Sequence, residues 1–163
     1  MQFKTKPSIA TYKQHDNKTM VTYDSGADGN YLSEQDRNKL GIPILRISDK
    51  KVGVANGDAC NGKYVISLPF PQLSSKAAEA YTFEECPTSL MSVGKTSDNG
   101  NGSIFTKDGV AIHKKEDELI TCQNKPIIIG KRDERGRYRI PLTQDHGQWQ
   151  PLGLDSCQLI HRP

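Results

Sequence analysis

Apolar and β-branched residues in this chain come in short runs closed by Gly, Pro, Asn, Asp or Ser, a rhythm of strands and turns and not of long helices. Thr19-Met20-Val21-Thr22-Tyr23 reads as a strand, and it runs into the polar turn Asp24-Ser25-Gly26-Ala27. Gly26 suggests a turn whose backbone angles would strain a larger residue. Ser33, followed three residues later by Asp36, has the spacing of an acidic capping box, and Gly41 with Pro43 supplies the stop for a short helix. Val52 to Leu68 reads as two strands joined by an Asn-Gly turn, the strongest short-range hairpin signal. Gln72 to Ala80 is an ambiguous, partly helix-prone link, and Thr82 to Leu142 supplies further strands.

Composition limits what these elements can build. A chain of 163 residues can bury one real core, and hydrophobic content of 34% with 14 Gly and 9 Pro suits a loop-rich β fold better than a helical bundle. The expected division is a polar N-terminal segment over 1–18 with an edge strand around Ser8 to Tyr12, one domain over 19–142, and a C-terminal extension over 143–163. No apolar run is long enough to span a membrane as a helix, and Met1-Gln2-Phe3-Lys4 does not open a signal peptide, so an interior, reducing location is expected.

Candidate metal chemistry is poor. Cys60, Cys86, Cys122 and Cys157 are scattered, without a Cys-x-x-Cys pair, and His15, His113, His146 and His161 are isolated. These read as free thiols and surface histidines, with no metal and no cofactor expected. Gly94-Lys95-Thr96 ends like a phosphate loop, but the glycine required five positions earlier is Ser89. Asp155-Ser156-Cys157 starts like the Asp24 turn, with Cys in place of Gly and only six residues to follow. Net charge is +3, and Lys131, Arg132, Arg135, Arg137 and Arg139 cluster; such a group is more often a solvated strand edge, and nucleic-acid contact is expected only as an incidental property.

The richest chemistry lies in the Asp24 turn. Two facing carboxylates and one water can hydrolyse a peptide bond, and a strand running into Asp-Ser-Gly-Ala offers one such carboxylate on rigid backbone. One chain carries one motif, so the site would need two chains. The plain alternative is an ordinary turn after a strand, since all three residue types favour turns.

The run from Asp24 to Pro43 resembles the segment after the catalytic Asp in the retropepsin-like family of retroviral and retrotransposon proteases, where an Asp-Ser/Thr-Gly-Ala turn leads to a hydrophobic pair, a short helix and a Leu-Gly-hydrophobic-Pro exit. Ser89-Leu90-Met91-Ser92-Val93-Gly94-Lys95, then Ile104-Phe105-Thr106-Lys107-Asp108, then Ile127-Ile128-Ile129-Gly130 and Gly136-Arg137-Tyr138-Arg139-Ile140, resembles copia-type retrotransposon polyprotein. Together the resemblance covers most of Thr19 to Leu142.

That resemblance implies an all-β acid-protease fold, a closed or open barrel-type sheet with one or two short helices, active as a homodimer. It implies Asp24 as catalytic residue, Ser25, Gly26 and Ala27 as its supporting loop, and Val54, Ala55, Asn56 and Gly57 as the flap over substrate. Leu90-Met91-Ser92 would be the strand behind the catalytic loop, leading into a helix from Val93, although Ser92 stands where retroviral members have Gly. Ile128-Ile129-Gly130 fits those letters better but lies much farther along. The substrate implied is the chain's own polyprotein, the location cytoplasmic and within virus-like particles, and the optimum mildly acidic. A module of the same fold that dimerises or binds peptides without cutting is the rival expectation, and a precursor that is weakly active until its ends are trimmed is a third.

Overall fold

The computed structural model describes residues 18–53, 57–115, 125–135 and 137–143. Twelve strands and three short helices account for most of them. β1 (Met20–Asp24), β2 (Asn30–Ser33), β3 (Arg46–Ile47), β6 (Tyr64–Ser67), β7 (Glu79–Phe83), β8 (Leu90–Ser92), β9 (Asn101–Phe105), β10 (Gly109–Lys114), β11 (Ile128–Arg132) and β12 (Tyr138–Pro141) form one sheet, in the order β3-β6-β7-β2-β8-β1-β12-β11-β10-β9. β4 (Lys51–Gly53) and β5 (Ala59–Asn61) pair separately. The protein is therefore mostly β. Its large sheet has free ends at β3 and β9, so the described residues form no closed barrel.

The centre of the sheet is threaded. β8 slots between β1 and β2, parallel to β1 in the register Thr22↔Leu90, Tyr23↔Met91 and Asp24↔Ser92, and antiparallel to β2. β12 closes the other side of β1, with Met20↔Pro141 and Thr22↔Arg139. Four strand spacings separate β1 from β9, roughly 19 Å in a flat sheet. Even so, the Tyr23 hydroxyl lies 2.8 Å from Ser103 Oγ and the Tyr23 ring stacks on Phe105 at 5.8 Å. The β12-to-β9 half must therefore curl back over β1. Val21, Leu32, Ile66, Met91, Val110 and Ile140 meet in the enclosed core.

The helices start where the sequence puts cap residues. α1 (Glu34–Leu40) opens on Ser33, whose Oγ accepts from Asp36 N at 3.1 Å, and closes on Gly41 at φ +65, a left-handed angle that suits glycine. The carboxylate arm of the box departs from the usual pattern: Ser33 N–H donates to Ser89 Oγ at 3.0 Å, and Ser89 Oγ donates to Asp36 Oδ2 at 2.5 Å. The cap thus also pins the approach to β8. α3 (Val93–Asp98) is capped by Ser92, and the helix-prone link holds a single turn, α2 (Ser75–Ala78), capped by Ser74. Three helices replace the one or two expected.

Two further expectations change. The stretch Val52 to Leu68 is not a simple two-stranded hairpin, because its second half divides at Gly62. A Cβ there would lie 3.0 Å from Ser48 Oγ and 3.1 Å from the Lys50 carbonyl oxygen, and Gly62 N–H donates to that carbonyl at 2.7 Å. Beyond it Lys63 N–H turns to the Thr82 carbonyl, so β5 stays with β4 while β6 joins the main sheet. His113 is no surface residue: it is 2% exposed, in a strand whose residues Gly109 to His113 are all buried. The edge strand expected at Ser8 to Tyr12, Cys122, Cys157, His15, His146, His161 and nearly all of the C-terminal extension lie outside the described residues.

Candidate active site

Asp24 closes β1 and is partly exposed, while Ser25 and Gly26 lie open on the turn. Gly26 N–H donates to Asp24 Oδ1 at 2.7 Å. This contact folds the carboxylate back onto its own backbone and fixes one of its oxygens. The expected reason for Gly26 is corrected here: its φ is not in the left-handed region. Glycine is called for by proximity, since a Cβ would stand 3.3 Å from Asp24 Oδ1. The exposed Ser25 makes no hydrogen bond among the described residues.

The loop beyond the turn is bolted from behind by β8. Ser92 Oγ donates to the Ala27 carbonyl at 2.6 Å, and Ser92 N–H donates to Asn30 Oδ1 at 2.9 Å. Asn30 is fully buried and uses its remaining donors on the Ala77 and Glu79 carbonyls, at 2.8 and 2.9 Å. One amide thereby ties β2, β8 and the end of α2 together with every polar atom matched. Leu90, Met91 and Ser92 are thus set directly against the Asp24 loop. Ile128, Ile129 and Gly130, the rival by letters, sit in β11, two strands from β1.

Tyr31 lies beyond the turn, on β2. Its hydroxyl donates to Asp28 Oδ1, and burial followed by that hydrogen bond drives the phenol pKa well up. Gly29 is needed beneath it, because a Cβ would come within 3.0 Å of the Tyr31 hydroxyl oxygen. Lys50, at the foot of the β4–β5 hairpin, places Nζ 4.6 Å from the Tyr81 ring centroid and 5.6 Å from that of Tyr31. Of the hairpin tip, Val54, Ala55 and Asn56 lie outside the described residues; Gly57 is exposed, with φ +89.

Chemically the site offers one oriented, water-accessible carboxylate per chain on a loop held by buried hydrogen bonds. Among the described residues no group of three His, Cys, Asp or Glu could hold a metal ion, and no helix is long and apolar enough to cross a membrane. Cys60 and Cys86 are free thiols. Gly94-Lys95-Thr96 belongs to α3, where Thr96 Oγ1 donates to the Ser92 carbonyl and Lys95 Nζ to the Glu79 carbonyl. The sequence does not announce the anchoring roles of Asn30 and Ser92; the one signal is the serine itself, whose hydroxyl makes the cap and loop contacts that glycine lacks. No family model, no curated protein and no solved structure matches this chain, so its functional reading rests on this geometry.

Proposed function

We propose that the chain is one half of a retropepsin-like, homodimeric aspartic endopeptidase, encoded in a copia-type polyprotein that it cuts. Asp24 from each subunit would face a shared water. Two carboxylates close enough to share one water cannot both ionise, so the pair would hold one proton. The ionised member takes a proton from the water as it attacks the scissile carbonyl carbon, and the protonated member donates to the carbonyl oxygen. Collapse of the tetrahedral species then expels the amine, which leaves with a proton from the dyad.

The observation that carries this reading is the threading of β8 beside β1, with Asp24 paired to Ser92 and the loop after Asp24 clamped by Ser92 and Asn30. An Asp carboxylate accepting from the N–H two residues on is also found in an ordinary Asx turn, as at Asp133 and Arg135; what sets the Asp24 turn apart is its bracing by the threaded strand β8. The β4–β5 hairpin with exposed Gly57 suits a cover over an extended peptide. Asp24→Asn and Asp24→Ala should abolish cleavage of a peptide library while the fold persists, and a statine-containing peptide should inhibit the unmutated chain. Undiminished cleavage by either variant sinks the assignment. Sedimentation in the ultracentrifuge tests the dimer, and a dimer that binds peptides without cutting them would favour the non-catalytic module.

A further inference from the structure

Side chains alternate along a strand, so Thr22 and Asp24 project from the same face of β1. Directly opposite Thr22 on β12 stands Arg139, and opposite Arg139 on β11 stands Lys131. Cross-strand partners share a face. A polar row Thr22–Arg139–Lys131 therefore crosses the sheet one pleat from Asp24, inside the sheet and not at the solvated edge expected of this cationic cluster.

The row is incompletely satisfied. Thr22 is 9% exposed, and its Oγ1, like Arg139 Nε, is enclosed and has no hydrogen-bond partner among the described residues. Arg139 makes no ion pair there. Arg137, just ahead of β12, is bound to Asp133 at 2.9 Å, whereas Asp133 and Asp36 act on Arg139 only from a distance. A guanidinium stays charged in proteins. Half-burying one without a counter-ion is unfavourable, and burial indeed works against the charged form of both Arg139 and Lys131.

We propose that Arg139 receives an acidic side chain of an extended peptide lying along the Asp24 face, with the enclosed Thr22 beside it in the row. The inference rests on the peptide-cleaving reading and adds to it a substrate preference for Glu or Asp close to the cut. A single carboxylate fits because it matches the planar fork of one guanidinium. A polyanion such as nucleic acid suits the place less well, since the negative charges of Asp36 and Asp133 already act on Arg139 and Asp24 follows two residues after Thr22, the β1 partner of Arg139.

The test uses the full chain carrying Asp24→Asn, so that bound peptide is not consumed, with fluorescent octapeptides bearing Glu or Gln at each position in turn. Anisotropy should show one position at which Glu binds about tenfold more tightly than Gln. Adding Arg139→Gln should erase that preference, Arg139→Lys should keep part of it, and Arg139→Glu should favour Lys peptides instead. Absence of any such position, or a preference that survives Arg139→Gln, overturns the proposal. The unmutated chain is given the same peptides in parallel. Arg139-dependent binding without cleavage would sink the catalytic reading and leave the acidic subsite standing; cleavage indifferent to acidic residues would do the reverse.

Discussion

Ser92 and Ala27, 65 residues apart, are joined by a hydrogen bond of 2.6 Å from the serine hydroxyl to the alanine carbonyl. The same oxygen accepts from Lys95 N–H at 3.0 Å as the N-cap of α3. One buried side chain therefore holds the Asp24 loop and starts the helix behind it. Ser92→Ala and Ser92→Gly should each destabilise the protein by about 1–3 kcal/mol, the cost of a lost cap plus an unsatisfied carbonyl. Urea denaturation measures this, and an unchanged midpoint would mean that the loop is anchored elsewhere.

Asn30 gives a sharper test because its two ends have opposite duties. Its Nδ2 donates to two carbonyl oxygens while its Oδ1 accepts from Ser92 N–H. Asn30→Asp replaces the donors by an oxygen facing those carbonyls and buries a charge, so it should cost more than Asn30→Ala at neutral pH, on the order of 3 kcal/mol or above. Thermal unfolding of both variants decides it. Equal stability would remove the amide network from the account of the loop.

Much of this was legible where the signal is local. Ser33, Asp36 and Gly41 declare α1 within nine letters, and the strand before Asp24 follows from its residue types. The seating of Leu90, Met91 and Ser92 beside Asp24 followed from a resemblance, since nothing in the letters fixes a parallel pairing across so many residues. Registers such as Thr22↔Arg139 are set by tertiary packing, which is why the cationic cluster was read as an edge. Gly62 looks like another turn residue in the letters, whereas its constraint is the nearby Lys50 backbone, which ends the hairpin there. His113 looks like a surface residue by its polar letter alone, yet it ends the buried run Val110-Ala111-Ile112.

Gly130 separates the two meanings of its tripeptide. A Cβ there would stand 2.7 Å from the Arg139 carbonyl oxygen and 2.9 Å from both Ile140 Cγ1 and Val110 Cγ1. Gly130→Ala should therefore destabilise by about 1–3 kcal/mol through overpacking. Gly53→Ala, with nothing within 4 Å, should fall within roughly 0.5 kcal/mol of the parent. Denaturation curves showing the opposite order would refute this explanation of the glycine in Ile128-Ile129-Gly130.

Acid should loosen the fold through Glu34. Arg37 grips Glu34 Oε1 through Nε at 3.0 Å and Nη2 at 2.7 Å, and this hydrogen bonding holds the carboxyl below its ordinary 4.5. The folded chain thus binds this proton less readily than the unfolded one. Its contribution is present above pH 4.5 and is lost as pH falls through the lower, folded value. Glu79 shifts the same way, chiefly through Arg46, but is more exposed and should matter less. Urea midpoints from roughly pH 3 to 6 should fall with acid, and Glu34→Gln should flatten that fall. An unchanged slope would exclude Glu34 as its source.

Gly26 links the fold to the proposed chemistry. Its amide orients Asp24 Oδ1, and its missing side chain leaves room for that oxygen, since an added Cβ would stand 3.3 Å away. Gly26→Ala demands no left-handed backbone and sits on an exposed turn, so stability should change by no more than about 0.5 kcal/mol. The carboxylate, however, must shift by a few tenths of an ångström or rotate away. Hydrolysis by two facing carboxylates depends on their placement around one water, and displacements approaching 1 Å can cost about a hundredfold. Gly26→Ala should accordingly lower kcat for peptide cleavage by roughly tenfold or more while KM changes little, because the hairpin and the Thr22–Arg139 row are untouched. If kcat is preserved, the Gly26 contact does not position a reacting carboxylate, and Asp24 returns to being a turn residue.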